Sequence, residues 1–438
     1  MELDKTTLND LSIFSPHDEF SIFEKLDFTR TSGGRENLKY FFSKTLSSIE
    51  EINGIQQTLQ LIIKNKDSWP AIINNGTLMV IQKFYESSID RIPHTASATT
   101  AYSYKIFHGP DFSLVKYSIG HCFDFIKGIQ SFVDSLLNDQ APSSLKKVLQ
   151  RTEGIIDQQQ FAIISKKQKG NDLTITEMLQ LAYFLLYHYK QNIFELINIY
   201  YQLDAWYSMA TAIEKYNLVF PDFIEQQQPV IKTTQLYHIL LPDPVAYDIT
   251  LDPENNFIFL TGANMAGKST FIKSVGVAVF LAHIGMGVPA QAMELTLFDG
   301  LLSNINVVDN IVKGESYFYN EVQRIKNTIL KINDGRQWLI LIDELFKGTN
   351  VQDAMKCSTT VIEGLIKIKN SLFILSTHLY EIADELKAYP NIAFKYFETI
   401  VDKEQFKFNY QLKDGVSNDR LGYLILKREN VIELLEKL

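Results

Sequence analysis

The chain has 438 residues, of which 46% are apolar and 21% charged, as is ordinary for a globular protein of two or three domains. Its net charge of −9 argues against a chain-wide basic surface for nucleic acid, although a local basic patch is compatible with it. The polar, acidic start MELDKTTLND is not a signal peptide, and the longest apolar run, residues 275–290, is too short for a membrane span. The two cysteines lack paired spacing and the histidines do not cluster, so no disulfide framework or zinc site is expected. These features favour a cytoplasmic protein.

Residues from about Phe20 to Phe223 predict helices, because apolar residues recur there at three- and four-residue spacings and proline is scarce. Residues 176–216 predict one helix that is longer than most globular helices. Its aromatic and leucine stripe is expected to be helix-packing core. Residues 92–111 (IPHTASATTAYSYKIFHGPD) predict a loop or irregular insertion.

The pattern changes after Phe220-Pro221. Short apolar runs now alternate with helical segments, which predicts a parallel sheet with helical crossovers. The runs are FIFL (257–260), WLILID (338–343) and SLFILST (371–377). Residues 394–401 and 405–412 then predict a hairpin-like pair of strands, and the C-terminal residues return to helix.

The segment TGANMAGKST (261–270) fits the pattern G-x-x-x-x-G-K-[ST] from Gly262 to Ser269 and lies between an apolar strand and a helix. The glycines let the backbone wrap closely around phosphates, and amides at the helix N-terminus point at the anion. Lys268 is expected to neutralise β- and γ-phosphate oxygens, and Ser269 to ligate Mg²⁺. A plain glycine turn is the alternative, and it is disfavoured because every fixed position matches.

Asp343 and Glu344 end the apolar run LILI. An acid at the end of a buried strand in a P-loop fold lies beside Mg²⁺, and an adjacent carboxylate can polarise the attacking water. Two acids opening a helix would be the alternative, since the helix dipole favours them there. The P-loop upstream makes the catalytic interpretation the stronger one.

Ser376-Thr377-His378 follows the third apolar strand. A histidine at that strand end could donate a hydrogen bond to a γ-phosphate. By itself such a histidine is more often a satisfied core or loop residue. The order of P-loop, Asp-Glu and strand-end histidine is what favours the functional role of His378.

Together, TGANMAGKST, LIDELFKGTN and STH resemble the MutS family of DNA mismatch-repair ATPases, within the ABC-type ATPases. The Asn264-Met265 pair makes this resemblance far more specific than a bare P-loop. It implies ATP and Mg²⁺ as cofactors, with catalytic roles for Glu344, His378 and Lys268. The implied ATP-binding residues are Gly262, Asn264, Met265, Gly267, Lys268, Ser269, Thr270 and, in trans, Ser316; the implied Mg²⁺ ligands are Ser269 and Asp343.

The segment KGESYFYNEV (313–322) looks like the family's signature segment, with Gly314, Ser316, Phe318 and Glu321 on its positions. In the family that serine approaches the γ-phosphate bound by the opposite subunit. The resemblance therefore implies a homodimer with composite ATP sites. Gly348-Thr349-Asn350 resembles the loop that crosses this dimer interface.

Two further segments are similar to the family's helical core: FEKLDFTRTSGGRENLKYFF (23–42) at its start and LDAWYSMATAIEKYNLVFPDF (203–223) at its return. The predicted fold is an all-α core or lever domain followed by an α/β ABC-type ATPase domain that ends in a helix-turn-helix dimer contact. The predicted boundaries are 1–19 for an N-terminal tail, 20–230 for the helical domain with a reduced or absent clamp, and 231–438 for the ATPase domain.

The sequence also departs from the family pattern. It starts almost directly at the helical core, so we expect no mismatch-reading or connector domain. Six positions of the motifs hold unusual residues: Ala263, Ala266, Asn304, Tyr317, Phe346 and Lys347. Nucleotide binding and hydrolysis are nevertheless expected to survive, because the central site residues are all present: Lys268, Ser269, Asp343, Glu344 and His378.

The first functional hypothesis is an ATP-driven dimer that acts on DNA, in mismatch repair or recombination, without its own mismatch reader. ATP would close the two ATPase faces, and that change would be transmitted to the helical arms. The second is an ATP-regulated module that holds a protein partner and does not touch DNA, which the acidic charge favours. A small-molecule kinase on a P-loop scaffold fits poorly, because the Asp-Glu pair belongs to enzymes that hydrolyse.

The run Lys166-Lys167-Gln168-Lys169 is a candidate DNA contact, although such runs are usually solvated faces.

Overall fold

Two units make up the chain in the computed structural model. The first unit contains Met1–Lys25, Thr45–Ile52 and Tyr216–Leu438, and the second contains Leu26–Lys44 and Asn53–Lys215. The structure describes residues 1–14, 20–94, 97–305, 317–402, 405–417 and 430–436.

The described helices follow one another in this order: α1 Lys5–Asp10, α2 Ile22–Leu26, α3 Ser32–Ser43, α4 Ile49–Lys64, α5 Asn75–Glu86, α6 Ala98–Phe107, α7 Gly109–Leu136, α8 Ser143–Ile156, α9 Ala162–Lys166, α10 Ile175–His188, α11 Lys190–Tyr216, α12 Lys268–His283, α13 Tyr317–Ile332, α14 Val351–Leu365, α15 Ala383–Leu386 and α16 Val431–Glu436. The strands are β1 Glu2–Leu3, β2 Asp222–Phe223, β3 Ile231–Leu236, β4 Tyr247–Leu251, β5 Phe257–Thr261, β6 Ala292–Leu295, β7 Gly300–Asn304, β8 Trp338–Asp343, β9 Ser371–Ser376, β10 Ile392–Asp402 and β11 Gln405–Asp414.

The first unit contains two sheets. The larger has seven strands in the order β1-β7-β8-β9-β5-β10-β11, and all neighbours are parallel except the antiparallel pair β10–β11. The smaller has four strands in the order β2-β6-β3-β4. The predicted parallel sheet with crossovers and the predicted hairpin are therefore present. Every residue of β5, β8 and β9 is buried, which explains why these strands appear in the sequence as uninterrupted apolar runs.

The second unit is built from helices, and the two segments that resemble the family's helical core meet inside it. The fully buried carboxylate of Asp204 on α11 accepts hydrogen bonds from the amides of Arg30 and Thr31 and from the Thr31 hydroxyl. One turn later, the Ser208 hydroxyl accepts from the Phe28 amide at 2.7 Å. Polar residues of both segments thus hold the start of α3 against α11. Whether this unit acts as a lever stays a prediction.

Two helix predictions need correction. The predicted loop at 92–111 contains α6, because Ser97 caps its N-terminus and Ala101 and Tyr104 are buried on one face. The predicted single helix at 176–216 is two helices, α10 and α11, which are interrupted at Tyr189. The Tyr189 hydroxyl donates to the Ile155 carbonyl, so the interruption places that ring in a buried site on α8.

The N-terminal residues also differ from the predicted tail. Met1–Lys25 belong to the first unit, where β1 pairs with β7 in parallel and extends the larger sheet. The unit boundary at Tyr216 likewise precedes the predicted boundary at residue 230. The predicted C-terminal helix-turn-helix falls largely outside the described residues, apart from α16. Among the helices that the structure describes, none has the length and apolarity to cross a membrane.

Replacing Asp204 by alanine should lower the free energy of unfolding by about 3 kcal/mol, because two amides and a hydroxyl lose a buried acceptor. Urea denaturation followed by circular dichroism measures this change. Glu195→Ala is the control, since Glu195 pairs with Arg151 on the surface and its loss should cost no more than about 0.5 kcal/mol. Equal effects of the two substitutions would contradict the role assigned to Asp204.

Candidate functional site

The phosphate-loop sequence forms a tight turn between β5 and α12. Gly262 has φ +142° and Gly267 has φ +106°, conformations in which a side chain is strained. A Cβ on Gly262 would also lie 3.2 Å from the carbonyl oxygen of Phe397. Gly267 is the N-cap of α12, so the unpaired amides of this 16-residue helix face the loop. The local backbone is therefore an anion cradle that only glycine permits at these two positions.

Lys268, the first residue of α12, is 5% exposed. Its ammonium donates to the carbonyl oxygens of Gly262 at 2.8 Å and Ala263 at 3.1 Å, and lies 3.3 Å from Nε2 of His378. Burial lowers the pKa of Lys268 to about 8, although the nearby carboxylates act in the opposite direction. The phosphate loop thus surrounds the Lys268 ammonium, which is poorly hydrated and which an anionic ligand would stabilise.

Asp343, the last residue of β8, connects three elements through its buried carboxylate. Ser269 on α12 donates to Oδ2 at 2.5 Å, and Ser376 at the end of β9 donates to Oδ1. The carboxylate oxygens of Asp343 and the hydroxyl oxygen of Ser269 lie together, and oxygen atoms are the ligands that Mg²⁺ prefers. The pair therefore fits a magnesium ion.

Glu344 turns the chain out of β8 with φ +61°, and its amide donates to the Ser376 carbonyl. One carboxylate oxygen lies 2.7 Å from Nε2 of His378 and the other 3.0 Å from Nζ of Lys347. Burial opposes ionisation, but the hydrogen bonds from His378 and Lys347 outweigh it and lower the pKa of Glu344 to about 2. Glu344 is therefore an anion at every physiological pH.

A cavity of about 440 Å³ opens beside these groups. Tyr247, Tyr410 and Leu241 form an apolar part of its wall. Burial raises the pKa of Tyr247 to about 12, so this ring is a neutral surface. The loop residues that line the cavity are Ala263, Asn264, Met265, Gly267, Lys268, Ser269 and Thr270. Its volume lies within the usual range for small-molecule sites.

Glu321 on α13 belongs to the predicted signature segment and is 4% exposed. Its carboxylate accepts hydrogen bonds from the amides of Lys347 at 3.1 Å and Gly348 at 3.2 Å. These amides belong to the loop that follows Glu344. Helix α13, which begins in the predicted signature segment and is called the signature helix below, therefore fixes the loop that follows Asp343 and Glu344.

The structure brings Lys268, Ser269, Asp343, Glu344 and His378 into one set of contacts. Gly314 and Ser316 lie outside the described residues, so the action of Ser316 in trans stays a prediction.

Four residues of the site described above had no role assigned from sequence: Lys347, Ser376, Tyr247 and Tyr410. Lys347 was noted only as a departure from the family. A serine or tyrosine that reaches a site through strand neighbours gives no local signal.

Comparison with known proteins matches residues 258–433 to the family model described as MutS domain V, the ATPase domain of MutS homologues. The chain is 31% identical over 250 residues to the DNA mismatch repair protein MutS of Thermotoga maritima, covering 55% of this chain and 30% of that protein. It is 28% identical over 256 residues to the protein of the same name from Petrotoga mobilis, covering 58% and 31%.

The chain spans less than a third of the length of these relatives. The domain match includes β5 and the phosphate loop at its start and continues through β8, β9 and the hairpin. The relatives extend the likeness to more than half of the chain. The chain is thus MutS-like, and its residues 258–433 match MutS domain V.

Proposed function

We propose that this protein binds ATP with Mg²⁺ and hydrolyses it to ADP and phosphate. The observation that carries the proposal is one cavity lined by Lys268, Ser269 and Glu344. Asp343 is bonded to Ser269, and His378 lies between Lys268 and Glu344. A glycine turn without function would not require a buried lysine, a buried aspartate and a paired glutamate around it. ATPase activity of MutS domain V in the relatives supports the same assignment.

We expect different parts of the cavity to bind the triphosphate and the base of the nucleotide. The triphosphate would lie at the N-terminus of α12, where amides and the Lys268 ammonium neutralise its charge. The base would lie against the aromatic faces of Tyr247 and Tyr410, which favour stacking with a flat ring system. Magnesium, held by Ser269 and Asp343, would supply positive charge that neutralises phosphate oxygens.

Hydrolysis requires a water oriented for attack on the γ-phosphorus. The Glu344 carboxylate is fixed by His378 and Lys347 at the edge of the cavity and would accept a hydrogen bond from that water. With a pKa of about 2, Glu344 is a weak base, so its contribution is orientation of the water more than removal of its proton. His378, which lies between Glu344 and Lys268, would donate to a γ-phosphate oxygen. The water oxygen bonds to phosphorus as the bond to ADP breaks.

Glu344→Gln should reduce kcat for ATP hydrolysis by about 100-fold or more while ATP still binds, because the amide cannot orient water as the carboxylate does. Lys268→Ala should abolish ATP binding itself. A steady-state phosphate-release assay and calorimetric titration with ATP separate these effects. Glu363→Gln, a carboxylate on α14 bonded to Tyr389, is the control and should leave both quantities unchanged. Unchanged turnover in Glu344→Gln would contradict the assignment of the site.

ATP binding should weaken as the pH rises above 8. Because the pKa of Lys268 is about 8, its ammonium loses its proton as the pH rises through that value, and the attraction for phosphate disappears. If only the charged form binds, Kd should rise about tenfold between pH 7.5 and 9. Calorimetric titration with ATP at a series of pH values measures this. Lys268→Arg, whose guanidinium stays charged, should give a flat profile, and a flat wild-type profile would contradict the prediction.

We further propose that the protein acts as a homodimer on DNA. The named role of the relatives, DNA mismatch repair, supports this. The second unit also contains a groove of about 650 Å³ whose wall includes Lys116, Tyr117, His121 and Lys169. Cations beside an exposed aromatic ring suit a phosphodiester backbone and a stacked base. Asp124 lines the same groove, and its carboxylate has the sign of charge that repels phosphates.

Replacing both Lys116 and Lys169 by alanine should weaken DNA binding and reduce the slope of log K against log salt by about 1.8, since each lysine neutralises one phosphate of the duplex. Filter binding with linear and branched duplexes, in the presence of ATP, gives the slope. The double substitution of Lys39 and Lys83, two exposed lysines outside the groove, removes the same charge and is the control. Equal slopes for both double variants would rule out the groove.

The alternative function, a nucleotide-regulated module for a protein partner, is favoured by one feature. Helix α6 exposes Tyr102, Ile106 and Phe107, the last two by 73% and 79%. Exposed apolar side chains so close together are typical of protein contacts. An absence of salt-dependent DNA binding by the wild type would favour this alternative.

A further inference from the structure

The N-terminal residues form a strand and a helix on the larger sheet. Glu2 and Leu3 pair with Gly300 and Leu301 at the start of β7. Asp4 caps α1 by accepting a hydrogen bond from the Thr7 amide at 2.7 Å. Helix α1 therefore lies alongside β7 and reaches the end of that strand.

Asp10, the last residue of α1, is 2% exposed and bonds to the end of β7. Its Oδ2 atom accepts from the Ser303 hydroxyl at 2.6 Å and the Ile305 amide at 3.0 Å. The Thr7 hydroxyl accepts from the Ser303 amide at 3.0 Å. Polar groups of α1 thus satisfy the backbone where β7 ends.

The same carboxylate lies beside the signature helix. Nη2 of Arg324 on α13 is 3.7 Å from Oδ2 of Asp10 and donates to the Ser303 carbonyl at 3.3 Å. Asn304 also donates to the Thr328 hydroxyl, one turn further along α13. Helix α13 is therefore attached to the end of β7 at two successive turns, with Asp10 buried at the first of them.

One turn before Arg324 on α13, Glu321 holds the amides of Lys347 and Gly348. Lys347 in turn contacts Glu344. A continuous set of polar contacts therefore runs from α1 through α13 to the proposed water-orienting carboxylate. All of these groups are described and lie within the first unit.

We propose that Asp10 is a positioning residue for ATP hydrolysis: it fixes α13 at Arg324, and through Glu321 it fixes the loop that holds Glu344. The inference rests on the proposed ATPase function. Asp10 touches neither the cavity nor the reacting groups. Its effect is geometric, and small displacements of a group that orients a nucleophile reduce the rate steeply.

Asp10→Asn keeps the shape of the side chain and removes its charge, so Arg324 and two donors face a weaker acceptor. We expect kcat for ATP to fall about tenfold while KM stays within about twofold of wild type. Glu2→Gln is the control, since it removes another N-terminal carboxylate that contacts α13, at the far end beside Lys331. It should leave kcat unchanged. In the Glu321→Gln background, Asp10→Asn should add little, because both act on the same loop.

Hydrogen exchange of a peptide covering Lys347 and Gly348 supplies a readout that does not need turnover. Its exchange should increase in Asp10→Asn and not in Glu2→Gln. Wild-type kcat and wild-type exchange in Asp10→Asn would overturn the inference. If the wild type hydrolyses no ATP, the proposed function fails, and the exchange result alone decides whether Asp10 holds the loop. If Asp10→Asn does not fold, Arg324→Lys, which keeps the charge and loses the planar fork, should give the same two changes, and their absence would overturn the inference.

Discussion

The buried carboxylate of Asp343 is the interaction on which the candidate site depends. It joins the end of β8 to α12 through Ser269 and to the end of β9 through Ser376. Without it, three elements from distant parts of the chain would have no common anchor at the carboxyl edge of the sheet. The parallel order β8-β9-β5 makes the contact possible, because the ends of these three strands meet at one edge. A ligand site at this edge is what the topology of an open parallel sheet favours.

Charge balance around that anchor explains the states of the other groups. The contacts run from Lys268 to His378, from His378 to Glu344 and from Glu344 to Lys347, so the Glu344 carboxylate lies between the His378 ring and the Lys347 ammonium. Burial disfavours each charge, but the neighbours stabilise the anion more than the cation. The glutamate therefore stays ionised while the lysine is easily deprotonated. A polyanion that enters the cavity would raise the pKa of Lys268 again, since its negative charge stabilises the ammonium.

Local patterns in the sequence were sufficient for much of the fold and for the central residues. Fully buried strands appear as apolar runs, and the phosphate loop needs glycines at positions where the structure has φ +142° and φ +106°. What the sequence did not provide is non-local. The role of Ser376 follows from the neighbouring position of β9, and that of Tyr410 from the position of the β10–β11 hairpin. Helix α6 was missed because threonines and glycine-proline neighbours are typical of loops, whereas tertiary burial of Tyr104 favours the helix. The N-terminal strand is only two residues long and has no pattern to detect.

The pairing of β1 with β7 has a consequence for the order of events during synthesis. Glu2 finds its partner Gly300 only after about 300 further residues have been made, which takes about 15 to 60 s at typical rates of translation. The second unit is complete once Lys215 has been made, so it can form its own core before the first unit has been fully synthesised. Throughout this interval the N-terminal residues have no sheet to join. Attachment of α1 to the end of β7 is therefore among the late steps of folding, and the nascent chain must keep this short segment available until the sheet that receives it exists.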